Sequence, residues 1–134
     1  YHNKGKQMIV GHGIDVVKKS RIQKIFSRYG KKFAYKILNT QEMNDFLNSK
    51  HKTAFLAKRF AAKEAIGKAI GRGILNGTLL KYICIANDKN GKPFIKSIDR
   101  KIINENEFDF FLSLSDEIEY AHASVIIARK GSVV

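Results

Sequence analysis

Tryptophan is absent from this 134-residue chain, and proline and cysteine occur once each. A lone cysteine excludes an internal disulfide and suits a reducing compartment, so a cytoplasmic location is expected. Cys84 lies in the apolar run Tyr82-Ile83-Cys84-Ile85-Ala86, where a packed core thiol is expected rather than a nucleophile. No apolar run approaches the ~20 residues of a membrane span and no signal-peptide pattern is visible, so no membrane partner is expected. Repeats, linkers and low-complexity tracts are missing as well. Acidic residues are scarce: 12 Asp and Glu stand against 25 Lys and Arg, for a net charge of +13. That excess attracts polyanions of several kinds. A lysine-favouring genome raises the same number without function, so charge alone selects no partner.

What is present centres on Phe55 to Ile74. Phe55, Leu56, Phe60, Ala65, Ile66, Ala69 and Ile70 fall near the spacing of a buried helical stripe. Gly71 and Gly73 supply the stop. One acid, Glu64, sits among Lys58, Arg59, Lys63 and Lys68. Alone it reads as half of a solvated ion pair with Lys68, four residues on. A second stretch, Gly11 to Ile22, places Asp15 in or at the end of an apolar strand, where an unpaired acid is costly.

Together the two stretches resemble the holo-acyl-carrier-protein synthase family, the small bacterial-type 4'-phosphopantetheinyl transferases. The resemblance rests on Gly13-Ile14-Asp15 with Arg21-Ile22, then on Arg59-Phe60-Ala61, Lys63-Glu64-Ala65, Lys68-Ala69, Gly71 and Gly73, in that order and spacing. It spans Met8 to Ala128. Met8-Ile9-Val10-Gly11 looks like a family start, so residues 1–7 are expected to be an upstream extension or cloning remnant and 8–134 a single domain.

Taken in order, Ile9 to Val17 reads as a strand. Ser20 opens a helix, with Gln23 completing a capping box and Gly30 ending it. Phe33–Leu38 and Gln41–Leu47 are short helices, the second capped by Thr40. The long helix follows, then strands at Leu79–Asn87 and Phe94–Ile98 around an Asn90-Gly91 turn. Asp99–Asn106 is expected to be a short helix, and Phe108–Ser115 and Tyr120–Ala128 the last strands. Strands segregate from the main helices, which gives an α+β class. The resemblance adds a small antiparallel sheet packed on the long helix, and assembly as a homotrimer.

The resemblance implies transfer of 4'-phosphopantetheine from coenzyme A to a serine of apo acyl carrier protein, in support of fatty acid biosynthesis. Asp15 and Glu64 form the expected Mg2+ pair, since Mg2+ takes one or two carboxylates plus waters and phosphate oxygens. Glu64 and Lys68 are the expected catalytic residues. Lys68 would hold a phosphate oxygen, pair with Glu64, or both. A metal-bound water or a neighbouring group would take the serine proton. Arg59, Lys63, Gly71, Arg72, Gly73, Lys92 and Pro93 are expected at coenzyme A. The basic face carrying Arg21, Lys24 and Arg28 reads either as solvated surface or as a docking surface for the acidic carrier protein. Two departures from the family pattern stand out: Arg72 in place of a common threonine, and Asp116 in place of a common histidine. His51 and His122 are read as surface or strand residues rather than bases. The rival reading is a basic nucleic-acid-binding module without catalysis, in which Phe108, Phe110 and Phe111 stack on bases. Under the transferase reading, no nucleic-acid partner is expected.

Overall fold

Two glycines decide how the first strand meets the long helix. A Cβ on Gly13 would stand 2.1 Å from the Ala65 carbonyl oxygen, and one on Gly11 would stand 2.1 Å from that of Ala69. Neither position admits a side chain, so the strand backbone lies directly on the helix. The computed structural model describes residues 8–71 and 79–131. The expected extension at residues 1–7 lies outside them.

The strand is β1 (Ile9–Lys18), followed by helices α1 (Lys19–Tyr29), α2 (Lys31–Ile37), α3 (Thr40–Leu47) and the long α4 (Lys52–Ala69). Strands β2 (Ile83–Asn87), β3 (Pro93–Ile98), β4 (Phe108–Asp116) and β5 (Tyr120–Arg129) come after it. All strand pairings are antiparallel and the helices precede most of the strands, which makes an α+β fold. The strands form two sheets rather than one: β1-β5-β4 and the β2-β3 hairpin.

Helix α4 is enclosed by β1, β5 and the three shorter helices, so its burial runs round the helix instead of along a stripe. Leu56, Ala57, Ala61, Ala62, Ala65 and Ile66 are fully buried, and so is Lys63. Small alanines let neighbouring backbones close in from several sides. Gly71, at φ 80°, follows the helix as the expected stop; Gly73 lies outside the described residues.

Elsewhere the local signals need correction. Lys18, not Ser20, flanks α1, and no side chain caps that helix. The capping box belongs to α3, where Asn39 accepts from the Glu42 N–H and Glu42 accepts from the Asn39 N–H. Asn39, rather than Thr40, is that N-cap. Leu80–Tyr82 is a 3-10 turn ahead of β2, not strand. Asp99–Asn106 is turn and 3-10 structure: the Asp99 carboxylate accepts from the Lys101 N–H, closing the chain locally before a helix can propagate. Cys84 is buried, as a core thiol should be.

The sheet's two faces differ. Val17, Leu112, Ala121, Ala123, Val125 and Ile127 point into the core, while Ile14, Val16 and Phe111 are more than half exposed on the other side. Phe108 and Phe110 pack against the core, which leaves Phe111 alone of that trio to meet a base.

Replacing Gly13 by alanine should cost at least about 1–3 kcal/mol, because the new methyl meets a backbone carbonyl that cannot swing aside. Urea denaturation of Gly13→Ala measures this, and unchanged stability would show that the strand can lift off the helix.

Candidate active site

Alternation along β1 sends Gly13, Asp15 and Val17 toward α4 and Ile14 and Val16 away from it. On α4, Glu64 and Lys68 are one turn apart and share a face, and Ala65 is the residue beneath Gly13. The glycine contact therefore brings Asp15 to the Glu64–Lys68 face. The Lys68 ammonium donates to Asp15 Oδ1 at 3.0 Å and to the Ile14 carbonyl at 3.1 Å, across 53 and 54 positions of sequence. Lys68 pairs with Asp15 instead of with Glu64, the partner expected from helical spacing.

Glu64 is 7% exposed, and its Oε2 has no hydrogen-bond partner among the described residues. Burial pushes its pKa up from the ordinary value, and the Asp15 charge pushes the same way, while Lys68 and Arg21 oppose. A buried, partnerless carboxylate oxygen beside a second acid suits a hard divalent cation. Two carboxylates, with waters and phosphate oxygens completing the shell, fit Mg2+. Among the described residues no group of three or more His, Cys, Asp or Glu offers a more complete protein cage.

A second feature lies on another face of α4. Phe55, Lys58 and Arg59 line a cavity of about 180 Å³ with Gly91, Pro93 and Asp116. Arg59 is 3% exposed and stacks on the Phe55 ring at 4.5 Å. Burial lowers its pKa, against the pull of Glu42 and then Asp45. Asp116 accepts from Lys19 at 2.6 Å and lies 3.5 Å from Lys58. The hydrogen bond from Lys19 holds the Asp116 carboxyl below the usual carboxylate range, with Lys58 adding to it.

Residues 11–127 match the 4'-phosphopantetheinyl transferase superfamily. The chain belongs to it. A holo-[acyl-carrier-protein] synthase of Vibrio vulnificus is 45% identical over 121 residues, which cover 88% of this chain and 96% of that one. The crystal structure of the holo-[acyl-carrier-protein] synthase from Neisseria meningitidis superposes with a TM-score of 0.82 at 36% identity, covering 91% of this chain and 100% of that one. The Bacillus anthracis holo-(acyl-carrier-protein) synthase, solved in complex with CoA (3',5'-ADP), gives 0.79 at 36% identity and covers 92% and 100%.

Within this phosphopantetheinyl transferase chain the expected residues divide. Asp15, Glu64 and Lys68 converge. Arg59 and Pro93 share the second cavity, with Lys92 exposed on the hairpin turn beside it. Gly71 is exposed at the end of α4; Arg72 and Gly73 lie outside the described residues. Lys63 is a correction. It is fully buried, its ammonium donates to Glu42 Oε1 and to the Ile37 carbonyl at 2.6 Å each, and burial pushes its pKa down to about 8. Packed in the core, with two of its three N–H groups bonded, it does not line the second cavity. Arg21, Lys24 and Arg28 are exposed on α1, and Arg21 is near enough for its charge to act on Glu64. Next to them a cleft is lined by Lys18, Lys19, Lys50 and Lys52.

Sequence reasoning missed Glu42, Lys58 and Lys19. Asn39-x-x-Glu42 carries the capping-box spacing and could have singled out Glu42. No local signal announces the two lysines, whose partner arrives from β4.

The raised Glu64 pKa has a definite sign for stability. The folded protein holds the proton more tightly than the unfolded chain, so ionising Glu64 destabilises the fold as pH rises through the folded pKa. Without divalent cations, Glu64→Gln should be more stable than the parent near pH 7. The gain should vanish below the ordinary 4.5, where Glu64 is protonated in both states. Denaturation curves across pH measure it; a glutamine variant less stable at pH 7 would mean that Lys68 and Arg21 outweigh burial.

Proposed function

We propose that this chain transfers 4'-phosphopantetheine from coenzyme A to a serine hydroxyl of apo acyl carrier protein, with adenosine 3',5'-bisphosphate as the other product. The observation that carries the reading is the convergence of Asp15, Glu64 and Lys68, from a strand and a helix far apart in sequence, beside an orphaned carboxylate oxygen. Family membership and the coenzyme A complex of a 36%-identical relative support it.

Asp15 and Glu64 are the residues that would hold Mg2+. When bound, the cation neutralises diphosphate charge and polarises the phosphorus under attack. The protein's own groups do the rest. Lys68, nearly half exposed and anchored on Asp15, places an ammonium where a diphosphate oxygen or the departing phosphate can be held. Arg59 and Lys58 supply positive charge at the second cavity for the nucleotide's phosphates. The serine oxygen forms a bond to the phosphorus of the pantetheine phosphate, and the bond from that phosphorus to the bridging oxygen breaks. The electron pair stays with the leaving adenosine bisphosphate. The serine proton passes to a neighbouring basic group.

Arg21, Lys24 and Arg28, with the adjoining lysine cleft, form the docking face for an acidic carrier protein. Opposite potentials there accelerate and orient encounter. The apolar outer face of the β1-β5-β4 sheet supports association of three copies, with Ile14, Val16 and Phe111 at the contact. The setting is fatty acid biosynthesis in the cytoplasm; no helix among the described residues is long and apolar enough to cross a membrane.

Incubation with coenzyme A, Mg2+ and apo carrier protein should add one phosphopantetheine mass to the carrier, and EDTA should abolish the addition. Asp15→Ala and Glu64→Ala should each lower kcat/KM on the order of 100-fold while circular dichroism stays native. Full activity in both variants refutes the metal pair. Salt-sensitive binding to RNA without any response to coenzyme A would favour the nucleic-acid reading. For the assembly, light scattering behind size exclusion should return three times the 15.2 kDa subunit mass, and Ile14→Lys should lower it.

A further inference from the structure

One buried carboxylate serves two cations that lie one turn apart on α4. Glu42 has no exposed surface. Its Oε1 accepts from the Asn39 N–H at 3.0 Å and from Lys63 at 2.6 Å. Its Oε2 accepts from the Ile85 N–H at 3.1 Å and stands 3.4 Å from Arg59 Nε, an ion pair short of hydrogen-bond geometry. Capping α3 requires only the first of these contacts.

The two cations fare differently. Lys63 is satisfied internally by Glu42 and the Ile37 carbonyl. Arg59 is not: Nε and Nη2 are buried and have no hydrogen-bond partner among the described residues. An unsatisfied, buried charged donor pair is expensive unless something else offsets it. Arg59 also lines the cavity that the β2-β3 turn closes with Gly91 and Pro93. Glu42 touches both walls of that cavity, the guanidinium on α4 and, through Ile85, the strand that leads to the turn.

We propose that Glu42 is a positioning residue for coenzyme A: it holds the Arg59 guanidinium at the cavity wall, where its charge can meet a phosphate of the co-substrate. The assignment rests on the transferase reading. Two buried cations share one buried carboxylate, with only the exposed Asp45 as a further acid acting on Arg59, so the buried groups keep one positive charge that a phosphate can neutralise. A preset guanidinium loses little side-chain freedom on binding, and that advantage belongs to affinity rather than to the chemical step.

The test compares Glu42→Gln, Glu42→Asp and Lys63→Met with the parent by steady-state kinetics in coenzyme A, with thermal melts alongside. Glu42→Gln keeps the side chain's shape but removes its charge from Arg59; KM for coenzyme A should rise about tenfold, with kcat at saturation within about threefold. Glu42→Asp should recover part of that loss. Lys63→Met alters the same buried cluster but leaves Glu42 to Arg59, so KM should stay within about twofold of the parent whatever happens to the melting temperature. In an Arg59→Ala background, Glu42→Gln should add less than about twofold, because the residue it positions is gone.

A Glu42→Gln protein that melts lower yet keeps the parent KM reduces Glu42 to a core residue and overturns the proposal. So does a KM that rises equally in Lys63→Met, or effects of Glu42→Gln and Arg59→Ala that simply multiply. Where the glutamine variant does not fold, the aspartate variant decides: a parental KM there overturns the assignment. A parent protein that transfers nothing from coenzyme A defeats the transferase reading itself, an outcome separate from all of these.

Discussion

Contact between β1 and α4, with no side chain between them, is the constraint on which the rest depends. Gly11 and Gly13 bring strand backbone against the Ala69 and Ala65 carbonyls. The geometry of the candidate site follows from that distance. Asp15 comes two residues after Gly13, on the same side of the strand, and Glu64 immediately precedes Ala65 on the helix. With the two backbones in contact, the ammonium of Lys68 reaches from its helix to Asp15 at 3.0 Å. The usual remark that glycine weakens a strand is thus incomplete here: its missing side chain sets the separation of two acids.

The packing between α3 and α4 and along α4 holds an uncommon concentration of charge for so small a domain. Glu42, Arg59, Lys63 and Glu64 are all buried. Such groups rarely add stability over well-packed apolar residues of similar volume. Their arrangement is directional, however. Glu42 faces Lys63 and Arg59, so a negative charge meets its opposites, whereas Glu64 faces Asp15 and is left short of a partner. The first leaves guanidinium donors to spare and the second a carboxylate oxygen.

Much of this was legible in the residues themselves. The family resemblance carried by Gly13-Ile14-Asp15 and the Lys63-Glu64-Ala65 run pointed to Asp15, Glu64 and Lys68, which the fold brings together. Strand and helix positions followed from periodicity to within a few residues for most elements. Lys63 was misplaced for a physical reason. Apolar periodicity shows one buried stripe, but α4 is covered on several sides, and a lysine facing a distant carboxylate reads locally like any surface lysine. Glu42 was overlooked because its role is set by Ile85 and Arg59, neither of which is near it in sequence. Asp99–Asn106 reads as helical by its isoleucines, yet an aspartate that bonds its own backbone competes with helix nucleation.

The outward face of the three-stranded sheet carries Ile14 and Val16 on one strand and Phe111 on another, all wet in a single copy. If those residues are hidden only by neighbouring copies, part of the folding free energy resides in association and obeys mass action. Dilution would then loosen the very strand that presents Asp15. The abundance of the protein in its cell, and not its sequence alone, would set how firmly its first acid is held in place.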